Sequence, residues 1–351
     1  MYEELPKTVD EFLEQVTTNT LAAIKINTFV DNYDPVRTLI DGRDGSGVFE
    51  SGRHAFFFRW FFENIFKLFE AYSIFEDDSS KRLYLHLISF RMGGHLSVRL
   101  PVQFSADDIS AFELIEGNQA SSYGLNAGLS GLKRVDFEYE GQSYRGDFYG
   151  LEYYLVRRQY FYTSPHANVC PEEGDVVIDG GACTGDSALV FSNAVGATGQ
   201  VIAFDPVAEH CSLIKHNAAE FPHQNVTVVP AGLSNRTVMA PPISINRCAP
   251  GFRVTSPEVP TRSLDSMVMA GDMDRVDFIK MDIEGSEIDA LNGAVGTISR
   301  FRPKLAISLY HNPNDLFAIP LMVKEMCPTY RFFLGHYTIH YDETVLYGRP
   351  S

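Results

Sequence analysis

The stretch Val176-Val177-Ile178-Asp179-Gly180-Gly181-Ala182-Cys183-Thr184-Gly185-Asp186 decides how this chain folds. Its apolar opening reads as a short buried strand, its glycines as a sharp turn, and residues 187–195 as the helix that follows. Working outward, the same rhythm repeats. Residues 201–205 read as a second strand, 207–221 as a helix and 226–230 as a third strand. Further strands are expected at 276–282, 305–310, 330–334 and 344–347. Strands alternating with helices imply a parallel, doubly wound α/β sheet. Its ligand belongs beyond the carboxyl ends of the strands, at the switch point beside the first of them.

The turn itself narrows the ligand. Glycine allows a sharp reversal and close approach of the backbone, but nicotinamide, flavin and S-adenosylmethionine folds all carry such a turn. Here the spacing is D-x-G-x-x-x-G, and G-x-G-x-x-G is absent. Asp179 ends the strand just before the glycines. An acid there would repel a pyrophosphate, whereas it can serve the cationic amino-acid end of S-adenosylmethionine, usually through water. Gly180, Gly181, Ala182 and Gly185 are the backbone contacts expected beside it. Asp205 ends the second strand, where an acid can accept from both ribose hydroxyls. Pro206 follows as a helix starter, so Asp205 also suits an N-cap, and the two roles are compatible. After the third strand, Ala231-Gly232-Leu233-Ser234 is small enough to admit a flat ring, which makes Gly232 a candidate adenine neighbour.

The most specific signal is Val276-Asp277-Phe278-Ile279-Lys280-Met281-Asp282-Ile283-Glu284-Gly285-Ser286-Glu287. It resembles the D-F-I-K-x-D-x-E-G-x-E block of the FkbM family of S-adenosylmethionine-dependent methyltransferases. The D-x-G-A-x-x-G turn, Phe204-Asp205-Pro206, and the ending His336-Tyr337…Glu343-Thr344-Val345-Leu346-Tyr347 match that family as well. The resemblance covers about residues 160–351. Cys183 departs from it, since Asn is common there, as does Asp205, where Glu is commoner. The resemblance implies a seven-stranded Rossmann-like methyltransferase sheet with its last strand antiparallel. It also implies methyl transfer, typically to a hydroxyl of a polyketide, sugar or glycan.

Methyl transfer requires in-line alignment of the acceptor and removal of its proton. Lys280 and Asp282, two apart on a strand, leave on one face. Asp282 could orient the acceptor or act as base, with Lys280 lowering the acceptor's pKa or holding Asp282 ionised; a structural Lys–Asp pair fits equally well. His311, just past the fifth strand, is a general-base candidate, and His336 near the last hairpin is a second. His340 could reach the same rim. His210, His216 and His223 look solvent-facing. Glu284 and Glu287 flank a helix start and suit its dipole. Hard cations favour carboxylates, so Asp282 and Glu284 could join a divalent site, although nothing in the spacing requires one and no metal ligand is assigned.

The first part of the chain reads differently. Residues 9–31 have approximate helical spacing. Residues 56–75 are dense in aromatics, with Phe57, Phe61, Ile65, Leu68, Phe69 and Tyr72 on one helical face and Phe58, Phe62 and Phe66 widening it. That stripe suits a buried helix better than an aromatic wall for substrate. A third helix is expected from Ser79 to about Arg91, capped by Ser79 or Ser80 and stopped by Gly93-Gly94. Residues 117–131 suggest a loop, and residues 135–149 a β-hairpin leading into the sheet. The expected division is a mainly helical cap or oligomerisation region over 1–130 and a methyltransferase domain over 131–351. Acceptor choice is expected to lie in the helical region and in the 235–262 insertion.

Composition sets the outer limits. The 351 residues carry 29 Lys and Arg against 45 Asp and Glu, a net charge of −16, which disfavours a nucleic-acid partner. No apolar run suffices for a membrane span. The opening MYEELPKTVDEF lacks the features of a signal peptide, and five Cys without a CxxC pair read as reduced thiols. The expectation is a cytoplasmic enzyme acting on a small-molecule or glycan acceptor, whose copies could also associate as a homo-oligomer. An N- or carboxyl-methyltransferase on the same fold and a non-catalytic scaffold stay open; a nicotinamide oxidoreductase is disfavoured by Asp179.

Overall fold

The computed structural model describes residues 4–26, 51–95, 97–116, 120–127, 131–165, 167–240 and 258–351. Two small antiparallel pairs lead into the main sheet: β1 (Lys133–Tyr139) with β2 (Gln142–Phe148), and β3 (Tyr162–Ser164) with β4 (Ala167–Val169). The expected hairpin is therefore present, and it reverses through Glu140 and Gly141, both at positive φ. Then come β5 (Val176–Gly180), β6 (Gln200–Phe204) and β7 (Val226–Val229). The short strands β8 (Gly232–Leu233), β9 (Val238–Ala240) and β10 (Val259–Arg262) form a side sheet. The series ends with β11 (Phe278–Met281), β12 (Lys304–Ser308), β13 (Tyr330–His336) and β14 (Thr344–Pro350).

Seven of these form one sheet in the order β13-β14-β12-β11-β5-β6-β7. The β14 strand is antiparallel to both its neighbours, and the remaining pairings are parallel. This is the doubly wound α/β sheet with a reversed last strand that the motifs implied. Crossovers diverge on either side of β5, so the crevice lies at its carboxyl end.

Both faces are buried, as a parallel sheet requires. Ile178, Ile279, Met281, Leu305 and Ile307 point to one face, and Val177, Phe278 and Ala306 to the other. The N-terminal helices cover the first face. Phe12 of Val9–Ile26, Phe61 of Ser51–Ile74 and Tyr84 of Asp78–Gly93 belong to the same apolar cluster as the sheet residues. A fully enclosed ring of this kind contributes on the order of 2–3 kcal/mol. Polar contacts fix the register of this layer. Trp60 Nε1 donates to Asn314 Oδ1 at 2.9 Å, and Leu334 N donates to Ser80 Oγ at 2.9 Å.

The aromatic helix is thus a core element, with Phe57, Phe61, Leu68 and Tyr72 inside. Its wider face, Phe62 and Phe66, is exposed. The third helix is capped by Asp77 and not by Ser79 or Ser80: its carboxylate accepts from Ser80 N at 2.6 Å, which a serine one turn later could not do for its own helix start. Gly94, at φ 74, ends it as expected. Within 117–131 the chain forms a short helix, Ser122–Ala127, where a loop was expected. Ser121 Oγ accepts from Gly124 N and supplies its cap. Of the expected helix over 9–31, the part beyond Ile26 lies outside the described residues. So do the turns at Pro241-Pro242 and Pro250-Gly251 in the 235–262 insertion. Among the described residues, no helix is long and apolar enough to cross a membrane.

Candidate functional site

A cavity of about 270 Å³ opens at the carboxyl ends of the parallel strands. Gly181 follows β5, Asp205 and Pro206 follow β6, Asp282 follows β11 and Tyr310 follows β12. Glu343 enters from the opposite direction. Because β14 runs backwards, its first residue lies where the parallel strands end, and the residue before it reaches the same crevice. Gly232, Leu233 and Ser234 close the side where a flat ring was expected.

Three lining residues other than glycine hold left-handed backbone: Cys183 at φ 46, Glu284 at φ 58 and Glu343 at φ 66. Such conformations cost on the order of 1 kcal/mol each and gather where function demands them. Asn tolerates this region better than Cys, which gives the departure at Cys183 a physical cost. Gly181, at φ 78, is required for a different reason from the one expected. A Cβ there would stand 1.9 Å from the carbonyl oxygen of Asp282, so the close approach is to the neighbouring strand end.

The lining carries five carboxylates, Asp205, Asp282, Glu284, Asp289 and Glu343, and among the described residues no lysine or arginine. Asp205 Oδ1 accepts from Val207 N at 2.8 Å and meets His210 Nδ1 at 3.0 Å, while Oδ2 accepts from Cys183 N at 3.0 Å. One carboxylate therefore holds the residue that opens the next helix and anchors the glycine turn, but the N-cap is Val207 and not Asp205 as expected, and no side chain caps that helix. The carboxylate retains acceptor capacity on Oδ2. His210, expected at the surface, is buried against it.

Asp282 is the centre of a second network. Tyr160 donates to its Oδ2 at 2.7 Å and Tyr310 to its Oδ1 at 2.8 Å. His311 Nε2 lies 3.3 Å from Oδ1, and His311 Nδ1 lies 2.9 Å from Glu287 Oε1. Burial pushes both phenols well above their ordinary range, with the Asp282 charge adding to it, so they remain donors. Burial would also raise Asp282, but His311, Lys280 and Tyr160 outweigh it and hold the carboxyl low. Burial alone would lower His311; Asp282 and Glu287 override it and raise the imidazole to about 11. His311 is thus at the site but carries its proton, and the expected general base is corrected to an imidazolium. Glu343 behaves in the opposite way. Burial, then repulsion from Asp282, raises it to about 8. Gln159 donates to one of its oxygens, and the Tyr310 hydroxyl, whose proton goes to Asp282, lies 3.5 Å from the other.

Other expected site residues lie elsewhere. Lys280 does not pair with Asp282. Its ammonium is enclosed under the glycine turn, 3.1 Å from Asp179 Oδ1, and donates to Gly181 O at 2.9 Å. Lys280 points to the face of Val177 and Phe278, whereas Asp282 lies one residue past the strand, where the chain has turned away from the pleat. Burial would lower Lys280, but Asp179 and Asp282 prevail and raise it. Asp179 is fully buried, also accepts from Ser187 Oγ at 2.8 Å, and does not line the cavity. It braces the turn from below. Gly180, Ala182 and Gly185 are likewise buried. His336 is buried at the end of β13 against Thr344 Oγ1, 2.8 Å away. Burial, reinforced by Arg91, lowers it to about 3, and it lines a different hollow beside Tyr337. It is not a base for this cavity.

Sequence reasoning missed Tyr160, Tyr310 and Glu343. Tyr310 and Glu343 had a usable signal, since each adjoins a strand end at the ligand edge. Tyr160 had none.

Residues 179–335 match the family model described as the methyltransferase FkbM domain. The fold is similar to the crystal structure of methyltransferase FkbM from Methylobacillus flagellatus KT, with 21% identity and a TM-score of 0.52 over 83% of this chain. This chain spans 60% of the length of that one. Aeropyrum pernix fibrillarin, solved with natively bound S-adenosyl-L-methionine, matches at 12% identity and a TM-score of 0.40, over 67% of this chain and 86% of its own. No curated protein sequence matches. The resemblance read from the motifs is thus borne out over residues 179–335, which match the model of the methyltransferase FkbM domain.

Proposed function

We propose that the protein is an S-adenosylmethionine-dependent methyltransferase acting on a hydroxyl of an uncharged small molecule, sugar or polyketide-type acceptor. The observation that carries this reading is the cavity lining, with five carboxylates and no described cation. Such a wall attracts a sulfonium that also bears an ammonium, and it repels the pyrophosphate of a dinucleotide. The same repulsion argues against a carboxylate as acceptor. When bound, S-adenosylmethionine supplies an electrophilic methyl group that needs no activation by the protein.

The chain's own residues would then divide the work. Asp205 Oδ2 is the acceptor for a ribose hydroxyl, and Gly232 with Leu233 and Ser234 leaves room for the adenine. Asp282, fixed by Tyr160 and Tyr310, orients the incoming hydroxyl. Glu343 is the proton acceptor, because its raised pKa lets it exchange a proton near neutrality while Asp282 stays ionised.

Calorimetric titration with S-adenosylhomocysteine tests the reading. We expect binding in roughly the micromolar range, ordinary for such a site. An Asp205→Ala variant should largely lose it while still melting cooperatively. Absence of heat and of thermal stabilisation in folded wild-type protein would leave a non-catalytic scaffold as the better description.

A further inference from the structure

The long aromatic helix Ser51–Ile74 is apolar on more than its buried side. Phe57, Phe61, Leu68 and Tyr72 take it into the core, yet Phe62 and Phe66 point the other way, 52% and 74% exposed. They lie four apart, so one ring stands a turn above the other and the two form a continuous apolar strip. A single exposed aromatic is ordinary, whereas an apolar strip rimmed by charge marks a contact surface.

The charges beside the strip indicate what covers it. Arg59, Glu63, Lys67 and Glu70 are all exposed along the same side of the helix, and their signs alternate from one end to the other. Reversing the order of such a series exchanges every sign. A second copy of this helix, laid antiparallel across a two-fold axis at the level of residues 64 and 65, therefore meets the first with opposite charges throughout. Arg59 of one copy faces Glu70 of the other, and Glu63 faces Lys67. The same axis sets Phe62 of one copy beside Phe66 of the other, where aromatic pairing adds to burial. A parallel two-fold pair would set each charge against its like.

We propose that the exposed face of Ser51–Ile74 is the interface of an antiparallel homodimer, centred on Phe62 and Phe66 and held in register by Arg59, Glu63, Lys67 and Glu70. Arg59 and Glu63 also meet within one helix. That contact is long, at 3.9 Å, and leaves their side chains 69% and 65% exposed, so it competes only weakly with a pairing across the axis. The four charges cancel and the chain as a whole carries −16, so an anionic membrane surface finds no basic patch here. One pair of helices is a small interface, for which dissociation in roughly the micromolar range is expected. The dimer does not rest on the methyl-transfer reading, since none of these residues lines the ligand cavity.

Sedimentation velocity of the full-length protein over about 1 to 100 μM, a range that spans such an affinity, tests the assignment. We expect a concentration-dependent shift from one chain to two. Phe66→Asp should weaken association by roughly tenfold or more and leave the thermal melt near that of wild type, because the ring lies outside the core. Arg59→Glu and Glu70→Arg each create two like-charge contacts per dimer, and each should weaken association by roughly tenfold. An equal mixture of those two variants recovers both attractive pairs and should associate as tightly as wild type. Protein that stays a single chain throughout the range, association indifferent to Phe66→Asp, or a mixture no tighter than its components would overturn the proposal. So would single chains that float with phosphatidylcholine vesicles and cease to do so in Phe66→Asp, which would make the strip a lipid contact.

Discussion

Asp179 and Asp282 end adjacent parallel strands, yet they live in opposite circumstances. Asp179 lies beneath the glycine turn against the Lys280 ammonium, shut away from the cavity. Asp282, one residue past β11, has left the pleat and meets two phenols, an imidazole and open space. The first carboxylate holds the scaffold, and the second is available for chemistry. One residue of displacement past a strand end separates the two roles, because the pleat dictates direction only while the strand lasts.

The comparison breaks most visibly at Lys280. Lys280→Met leaves Asp179 buried without its cation, and removing one partner of such a pair costs about 3–5 kcal/mol. Chemical denaturation should show that loss, and adding Asp179→Asn should recover most of it. If Lys280→Met were as stable as wild type, the pair would not be holding the turn.

Glu343 tests the open side. Its folded-state pKa is raised, so its contribution to stability is present below the unfolded value of 4.5 and disappears as pH rises toward about 8. Glu343→Gln removes that dependence. We expect the variant to exceed wild type by about 3–4 kcal/mol at pH 8 and to come close to it near pH 5, as each pKa unit corresponds to about 1.4 kcal/mol. Parallel melting curves at both pH values would contradict the burial argument.

Tyr310→Phe is the mildest of the three. Asp282 keeps Tyr160 and His311, so losing one donor should cost about 1 kcal/mol in unfolding free energy. A loss as large as that at Lys280 would mean that both carboxylates are structural.

The sheet was legible because each strand is a short apolar run punctuated by glycine or an acid. The run at 176–180 is matched residue for residue, and the others end within a few residues of their expected limits. Asp282 and Asp205 were legible for the same reason, as acids at strand ends. Lys280 was misread because strand alternation was extended past Met281, where the strand stops. Glu343 was quoted in the family's closing motif yet not placed. Its arrival depends on β14 inserting backwards between β12 and β13, a pairing that no local pattern encodes. His210 looked exposed because helix composition alone does not reveal that Asp205 lies opposite.

The apolar cluster that Phe12, Phe61 and Tyr84 share with Ile178, Ile279 and Leu305 has a practical meaning for how the protein is handled. These helices are no detachable lid. A chain trimmed to its family-matching segment would expose one whole face of the sheet to water, and strands stripped in this way attract each other. The family-matching segment is therefore best produced with its helices attached, and ligand screening with the shortened segment would sample aggregate in place of folded protein.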